Sequence, residues 1–206
     1  LEKEYAKCTR SASFKDKDDV TRLRISEFNR SSEFSVREQD KLVWSSKDDN
    51  NSVLTIWEKK DQIIATMRAM KVIGKAETEE CLSCSVHETV NYPVVVFNNA
   101  ATRIEYRNRG LNQVLRYHFI EAALRSDVQT LISPVYEGAP RVKFMESIGY
   151  TFKVPERNWQ TKLNVHSRRI LALLKNEDFQ KALNLLIAGR LEIIQEYPWH
   201  GEKIAF

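Results

Sequence analysis

A chain of 206 residues with 42% hydrophobic residues is long enough to bury a core, and its length fits one compact domain. Charged residues make up 29%, the two signs are interleaved and the formal net charge is +4, which excludes a polybasic nucleic-acid tail and leaves a mild preference for acidic partners. No apolar run approaches the roughly 20 residues of a membrane helix, and the charged start L-E-K-E-Y-A-K lacks a signal peptide's apolar centre, so the expectation is a soluble, cytoplasmic protein without a membrane span or a nucleic-acid partner.

In chain order, Tyr5 to Arg10 reads as a short strand, and Asp16 to Phe28 as a helix: Asp residues open it, and Val20, Leu23, Ile25 and Phe28 recur at roughly helical spacing. A second short helix is expected over Val36 to Val43, and K-D-D-N-N, Lys47 to Asn51, is a polar turn. Val53 to Glu58 and Gln62 to Val72 read as two strands of an antiparallel hairpin turning at Lys59 to Asp61. Gly74 to Tyr92 has no clean period and is expected to be irregular. P-V-V-V-F-N, Pro93 to Asn98, is too short for a helix and β-branched enough for a buried strand continuing towards Arg103.

Leu111 to Leu124 is strongly helical, with Leu111, Val114, Leu115, Phe119, Ala122 and Ala123 on one side. Gln129 to Val135 predicts a strand, Ala139 to Ser147 a helix closed by Gly149, and Tyr150 to Val154 the start of another strand. Ser167 to Ile194 reads as mostly helical, broken near Asn176 to Asp178, with Leu171, Leu174, Leu183, Leu186 and Ile187 as its apolar side. The sum is an α/β chain: a mixed, largely antiparallel central sheet flanked by helices, with a core over 1–165 and a helical C-terminal extension over 166–206.

Three cysteines, Cys8, Cys81 and Cys84, are too few and too uneven for a disulfide framework. Cys81 and Cys84 form C-x-x-C, but His87 is the one other ligand nearby, so no metal site is expected.

The loop T-R-I-E-Y-R-N-R-G-L-N, Thr102 to Asn112, carries the chemistry. A loop ending in glycine at a helix entrance exposes backbone N–H groups backed by the helix dipole, and so holds phosphate or pyrophosphate. Arg107 and Arg109 add charge there, and a side chain at position 110 would keep phosphate from the backbone. R-N-R-G-L-N resembles the R-x-x-G-x-G/A loop of GNAT acyltransferases, and M-E-S-I-G-Y, Met145 to Tyr150, resembles that family's Y-x-x-x-G-F. The resemblance covers about Pro93 to Phe152 and implies the GNAT fold, with Arg107, Asn108, Arg109, Gly110, Leu111 and Asn112 on the pyrophosphate and pantetheine of an acyl donor.

Two positions depart from the family pattern. Asn112 replaces a second small residue, and Met145 replaces an aromatic hydroxyl that would donate a proton to the leaving thiolate. A donor on acyl carrier protein has one bridging phosphate and tolerates a weaker loop. Lys47 to Met70 further resembles the acidic turn and hairpin of acyl-homoserine lactone synthases, with Arg68 on their arginine at the end of the second strand and Thr102-Arg103 on their Ser/Thr-Arg pair. The carboxylate before that pair is replaced by Ala100, which argues against lactone formation from S-adenosylmethionine. The chain is most similar to long-chain N-acyl amino acid synthases, which acylate an amino acid such as tyrosine from acyl carrier protein. The resemblance implies acyl-phosphopantetheine of acyl carrier protein, or acyl-CoA, as donor, with no tightly bound cofactor. The alternatives are an acetyl-CoA-dependent N-acetyltransferase and a non-catalytic binding protein of the same fold.

Amide formation requires a neutral amine beside a thioester carbonyl whose developing oxyanion meets donors. Asn98 to Arg103 would supply the strand against which the carbonyl lies. Glu105 is the nearest carboxylate in sequence and the candidate base, with solvated loop as its other reading. His118, inside a helix, reads as packing rather than catalysis. Arg68 and Arg103 are candidates to bind an acceptor carboxylate, with an ion pair to Asp48 or Asp49 as the alternative.

Overall fold

The computed structural model describes residues 7–30, 40–59, 62–158 and 168–206. Its strands are β1 (Cys8–Ser11), β2 (Ser52–Lys59), β3 (Gln62–Val72), β4 (Val94–Thr102), β5 (Thr130–Tyr136), β6 (Thr151–Lys153) and β7 (Arg169–Lys175). Its helices are α1 (Lys17–Asn29), α2 (Ser46–Asp49), α3 (Lys75–Leu82), α4 (Leu111–Leu124), α5 (Pro140–Ser147) and α6 (Phe179–Glu196). The strands form one mostly antiparallel sheet in the order β1-β2-β3-β4-β5-β7-β6. Half of the helix expected over Val36 to Val43, residues 36–39, and two of the three turn residues at Lys59 to Asp61 fall outside the described residues.

Two compact units make up the chain. The first draws on the described parts of Leu1–Arg68, Asn99–Phe119 and Leu186–Ile204. Its core is amphipathic α1 laid on the sheet: Val20 and Leu23 pack with Val53, Trp57, Ile63 and Ala101, and half-buried Cys8, Phe28 and Trp44 close the margin. Leu23 is 1% exposed, a burial that stabilises by about 2 kcal/mol. Residues beyond α6 return to β1: the Thr9 N–H donates to the Pro198 carbonyl at 2.9 Å, the His200 N–H to the Thr9 carbonyl at 2.8 Å, and Thr9 Oγ1 to the Tyr197 carbonyl at 2.9 Å. The Tyr197 hydroxyl donates to Glu58 Oε2 at 2.6 Å, which fixes the same segment to β2.

The second unit draws on Ala69–Asn98, Ile120–Leu185 and Ala205–Phe206. Its core gathers Val72, Leu82, Cys84, Val86, Val90, Val94, Val96, Ile132, Leu171 and Leu173. The segment expected to be irregular thus contributes helix α3 and four core residues, because Leu82 closes the helix and Cys84, Val86 and Val90 follow it into the apolar cluster.

The clearest departure from the sequence reading is β7. Ile170 to Leu174, I-L-A-L-L, is buried at all five positions and pairs with β5 from Thr130↔Lys175 to Tyr136↔Arg169 and with β6 on its other edge. A strand covered on both faces needs no alternation, and Leu171 and Leu174 fall at helical spacing by coincidence. The helical extension is therefore α6 alone, with a kink at Arg190.

The parallel ladder of β4 and β5 covers Val94↔Thr130 to Val96↔Ile132, whereas both strands run further, to Thr102 and Tyr136. Two residues beyond its last pair depart from regular strand chemistry. Pro134 has no N–H to give a ladder, and Asn99 takes a positive φ of 49° inside β4, a conformation that asparagine tolerates better than most residues.

Candidate active site

The loop after β4 is built on its own backbone before any side chain joins it. Arg103 is tied to β3 twice: its N–H donates to the Ile64 carbonyl at 2.9 Å and its Nε to the Ile63 carbonyl at 2.8 Å. A single 3-10 turn, Ile104–Tyr106, follows. Asn108 and Gly110 then take positive φ values of 63° and 86°, reversing the chain into α4. The Gly110 carbonyl accepts the N–H groups of Gln113 (2.8 Å) and Val114 (3.1 Å), so the helix opens at this glycine. The earliest N–H groups of a helix have no carbonyl in the preceding turn to bond, and an anion is their natural complement.

The side chains of the predicted donor residues divide. Leu111 is core, 2% exposed. The Asn112 carbonyl oxygen accepts Arg116 Nε at 3.0 Å, which holds it along α4. Arg109 is exposed, its guanidinium carbon 4.9 Å from the centre of the Tyr106 ring. Arg107 is turned inward: Nη2 meets Glu27 Oε2 at 2.9 Å and Nε donates to the Thr102 carbonyl at 3.3 Å. From α6, Arg190 Nε donates to Gln113 Oε1. Glu105, the candidate base, is exposed on the 3-10 turn.

Beneath α1 lies a charged cluster. Asp48, at the start of α2, accepts from Arg24 at 2.8 Å and lies 3.2 Å from Arg68 on β3; the side chains of Arg24 and Asp48 are wholly buried and that of Arg68 is 8% exposed. The Ser45 N–H donates to the other Asp48 oxygen at 3.0 Å, the backbone half of a capping box that starts α2. Burial pushes the Asp48 carboxyl up, but the hydrogen bond and charge of Arg24 and the charge of Arg68 outweigh it and hold the group below its ordinary range. Two guanidiniums thus face the Asp48 carboxylate, and Nε and Nη1 of Arg24 are buried without a hydrogen-bond partner.

Of the two arginines expected at the acceptor, Arg68 is thus in the ion pair with Asp48 that was its alternative, and Arg103 is held against β3. Sequence reasoning missed Arg24 and Glu27. Their signal was three-residue spacing on the apolar side of an amphipathic helix, where a charged pair has no reason to lie unless each finds a partner.

Solved structures show what fold carries this loop: the chain has the GNAT fold. The acyl-homoserine lactone synthase BjaI, described as CoA-dependent and solved with MTA, matches over 97% of this chain and 96% of its own at 14% identity, with a TM-score of 0.66. A protein from Desulfovibrio desulfuricans assigned to the GNAT acetyltransferases matches over 83% of this chain and 99% of its own, at 13% identity and a TM-score of 0.57. A Salmonella typhimurium protein assigned as an acetyltransferase, holding its cofactor acetyl-CoA, matches over 83% and 94%, at 15% identity and a TM-score of 0.58. At these identities the likeness establishes the fold. No family model matches the sequence, and comparison with curated protein sequences gave no match. Among the described residues, no helix is long and apolar enough to cross a membrane.

Proposed function

We propose that the chain acts as one acyltransferase domain that joins a long-chain acyl group from acyl carrier protein to the amine of an amino acid such as tyrosine. The observation that carries this reading is the cluster of Arg24, Asp48 and Arg68. A buried guanidinium with two unpartnered nitrogens is costly unless a hydrogen-bonding anion completes it. An amino-acid carboxylate has the matching planar geometry for an arginine fork. On this reading Arg24 and Arg68 form the acceptor's anion site, with Arg103 tying the end of β4 to β3.

The donor's phosphate would lie on the backbone N–H groups of Asn108 to Asn112, with Arg109 as the exposed cation. Residues of β4 from Asn98 to Arg103 would stand against the thioester carbonyl. Transfer then proceeds by attack of the neutral amine on that carbonyl, collapse of the tetrahedral intermediate and release of the pantetheine thiol. Glu105, being exposed, would take the amine's proton through water rather than directly.

Acyl-CoA is the second reading for the donor, favoured by the CoA-dependent synthase among the structural neighbours. Mass spectrometry of lipid extracts from a bacterium expressing the chain tests the first: a new N-acyl amino acid is expected. Turnover of purified protein with matched acyl-carrier-protein and acyl-CoA donors then separates the two. Efficient acetyl transfer from acetyl-CoA, with no gain from carrier-bound long chains, would overturn the synthase reading. Arg109 in the first unit and Arg141 and Lys143 on α5 in the second would each favour an acidic carrier, so added salt should slow the carrier-bound donor more than a neutral pantetheine thioester of the same acyl chain.

A further inference from the structure

The inward turn of Arg107 assigns a role to a residue outside the loop. Glu27 projects from the buried face of α1, with its side chain only 5% exposed. A carboxylate so placed is costly unless a cation meets it closely. That cation is Arg107, at 2.9 Å; Arg30 lies at 3.8 Å on the solvent side, its own side chain 53% exposed. Arg107 spends its fork on two inward acceptors, the Glu27 carboxylate and the Thr102 carbonyl. The bond to Thr102 spans the 3-10 turn, and the bond to Glu27 anchors that turn to a helix 80 residues earlier in the chain. Arg107 is neutralised by its partner, whereas Arg109, two residues on, faces the Tyr106 ring and has no carboxylate partner among the described residues.

We propose that Glu27 is a positioning residue for the acyl donor, acting through Arg107. The pair locks the mouth of the loop so that the N–H groups from Asn108 to Asn112 stand preorganised, and Arg109, not Arg107, is the cation that meets the donor's phosphate. The first arginine of the R-N-R-G stretch is then a strut and the second a ligand. The same helix grips the acceptor side through Arg24, three residues earlier, so α1 holds both halves of the site in one rigid element. This rests on the acyltransferase reading for its kinetics but not for its structural part.

The test uses Glu27→Gln, which keeps an acceptor oxygen and removes the charge, Arg107→Gln, at a side chain that is 44% exposed, and the double variant. Amide hydrogen exchange over 107–113 in the ligand-free protein is expected to quicken about tenfold in either single variant, the change that a coupling of about 1.4 kcal/mol gives, and no further in the double variant. In kinetics with a carrier-bound or CoA thioester, both single variants raise the donor's KM about tenfold and leave the acceptor's KM unchanged, whereas Arg109→Gln raises the donor's KM without altering exchange. Wild-type exchange over the loop in Arg107→Gln overturns the proposal, as does a donor KM that rises in Arg107→Gln and rises again, additively, in the double variant. Should Glu27→Gln not fold, exchange in Arg107→Gln decides alone. A wild-type protein that turns over no thioester removes the acyltransferase reading and leaves the exchange result to stand or fall separately.

Discussion

Replacing Asp48 with Asn is the most informative single change, because it alters charge while keeping shape. The amide oxygen of Asn can still accept from Ser45, so α2 keeps its start, but the negative charge that Arg24 and Arg68 meet at 2.8 and 3.2 Å is removed. Removing one member of a buried ion pair costs about 3–5 kcal/mol. In a chain of this length each kcal/mol moves the midpoint by about 2–4 °C, so Tm should fall by about 10 °C. The pH dependence identifies the cause. Asp48's carboxyl is held below its usual range in the folded protein, so its stabilisation is whole above about pH 4 and drains away as the pH falls through the lowered value. The difference between wild type and Asp48→Asn should therefore be full at pH 7 and shrink in acid, while Asp16, lowered by Arg10 in both proteins, cancels. Thermal and urea unfolding from pH 2 to 8 measure it. A loss under about 1 kcal/mol, or one undiminished in acid, would refute the idea that Asp48 holds two buried arginines together.

Gly110→Ala should cost about 1 kcal/mol, measured by urea unfolding, because φ is +86° while the added carbon meets Gln113 Oε1, Arg190 Cδ and Ile193 Cγ2 no closer than 3.5 Å; strain rather than collision sets the loss, and a neutral result would place the glycine elsewhere. Gly110→Val should in addition abolish donor use in protein that remains folded. Arg103→Ala should lower stability through the lost bond to Ile63 and raise the acceptor's KM more than the donor's; an equal effect on both substrates would leave Arg103 purely structural. Tyr197→Phe removes the hydroxyl's bond to Glu58 and should cost about 1–2 kcal/mol. Burial, and then the bond to Glu58, hold that phenol above its ordinary range, so the wild-type advantage should be whole below about pH 10 and fall in stronger alkali; an advantage that is absent at pH 7 would contradict the bond.

What the sequence made legible was local. Leu111 to Leu124 declares α4 by its period and by the glycine ahead of it, and Pro93 to Asn98 declares a buried strand by β-branching and brevity. The loop between them was readable because glycine, arginine and a helix start occupy adjacent positions. Ile170 to Leu174 was not, since a five-residue apolar run carries no period and its strand character depends on β5 and β6, which lie elsewhere in the chain. The site divides in the same way. Arg107 is visible as a basic loop residue, but whether it faces phosphate or Glu27 is decided by a partner 80 positions away. Arg24 and Asp48, 24 apart and joined by tertiary structure alone, left as their trace an arginine on the apolar side of a helix.

The pairing of Thr9 with residues 197–200 bears on how the chain is made. Thr9 Oγ1 finds its acceptor 188 residues later, so the outer edge of β1 stays open while the intervening chain is synthesised. At typical rates of about 5–20 residues per second that wait is roughly 10–40 s. Throughout it, a strand edge of the nascent protein offers unpaired N–H and C=O groups to any neighbour, the state in which edge-to-edge association begins. Slow translation, or premature termination before Tyr197, would thus be felt first as lost solubility on the ribosome.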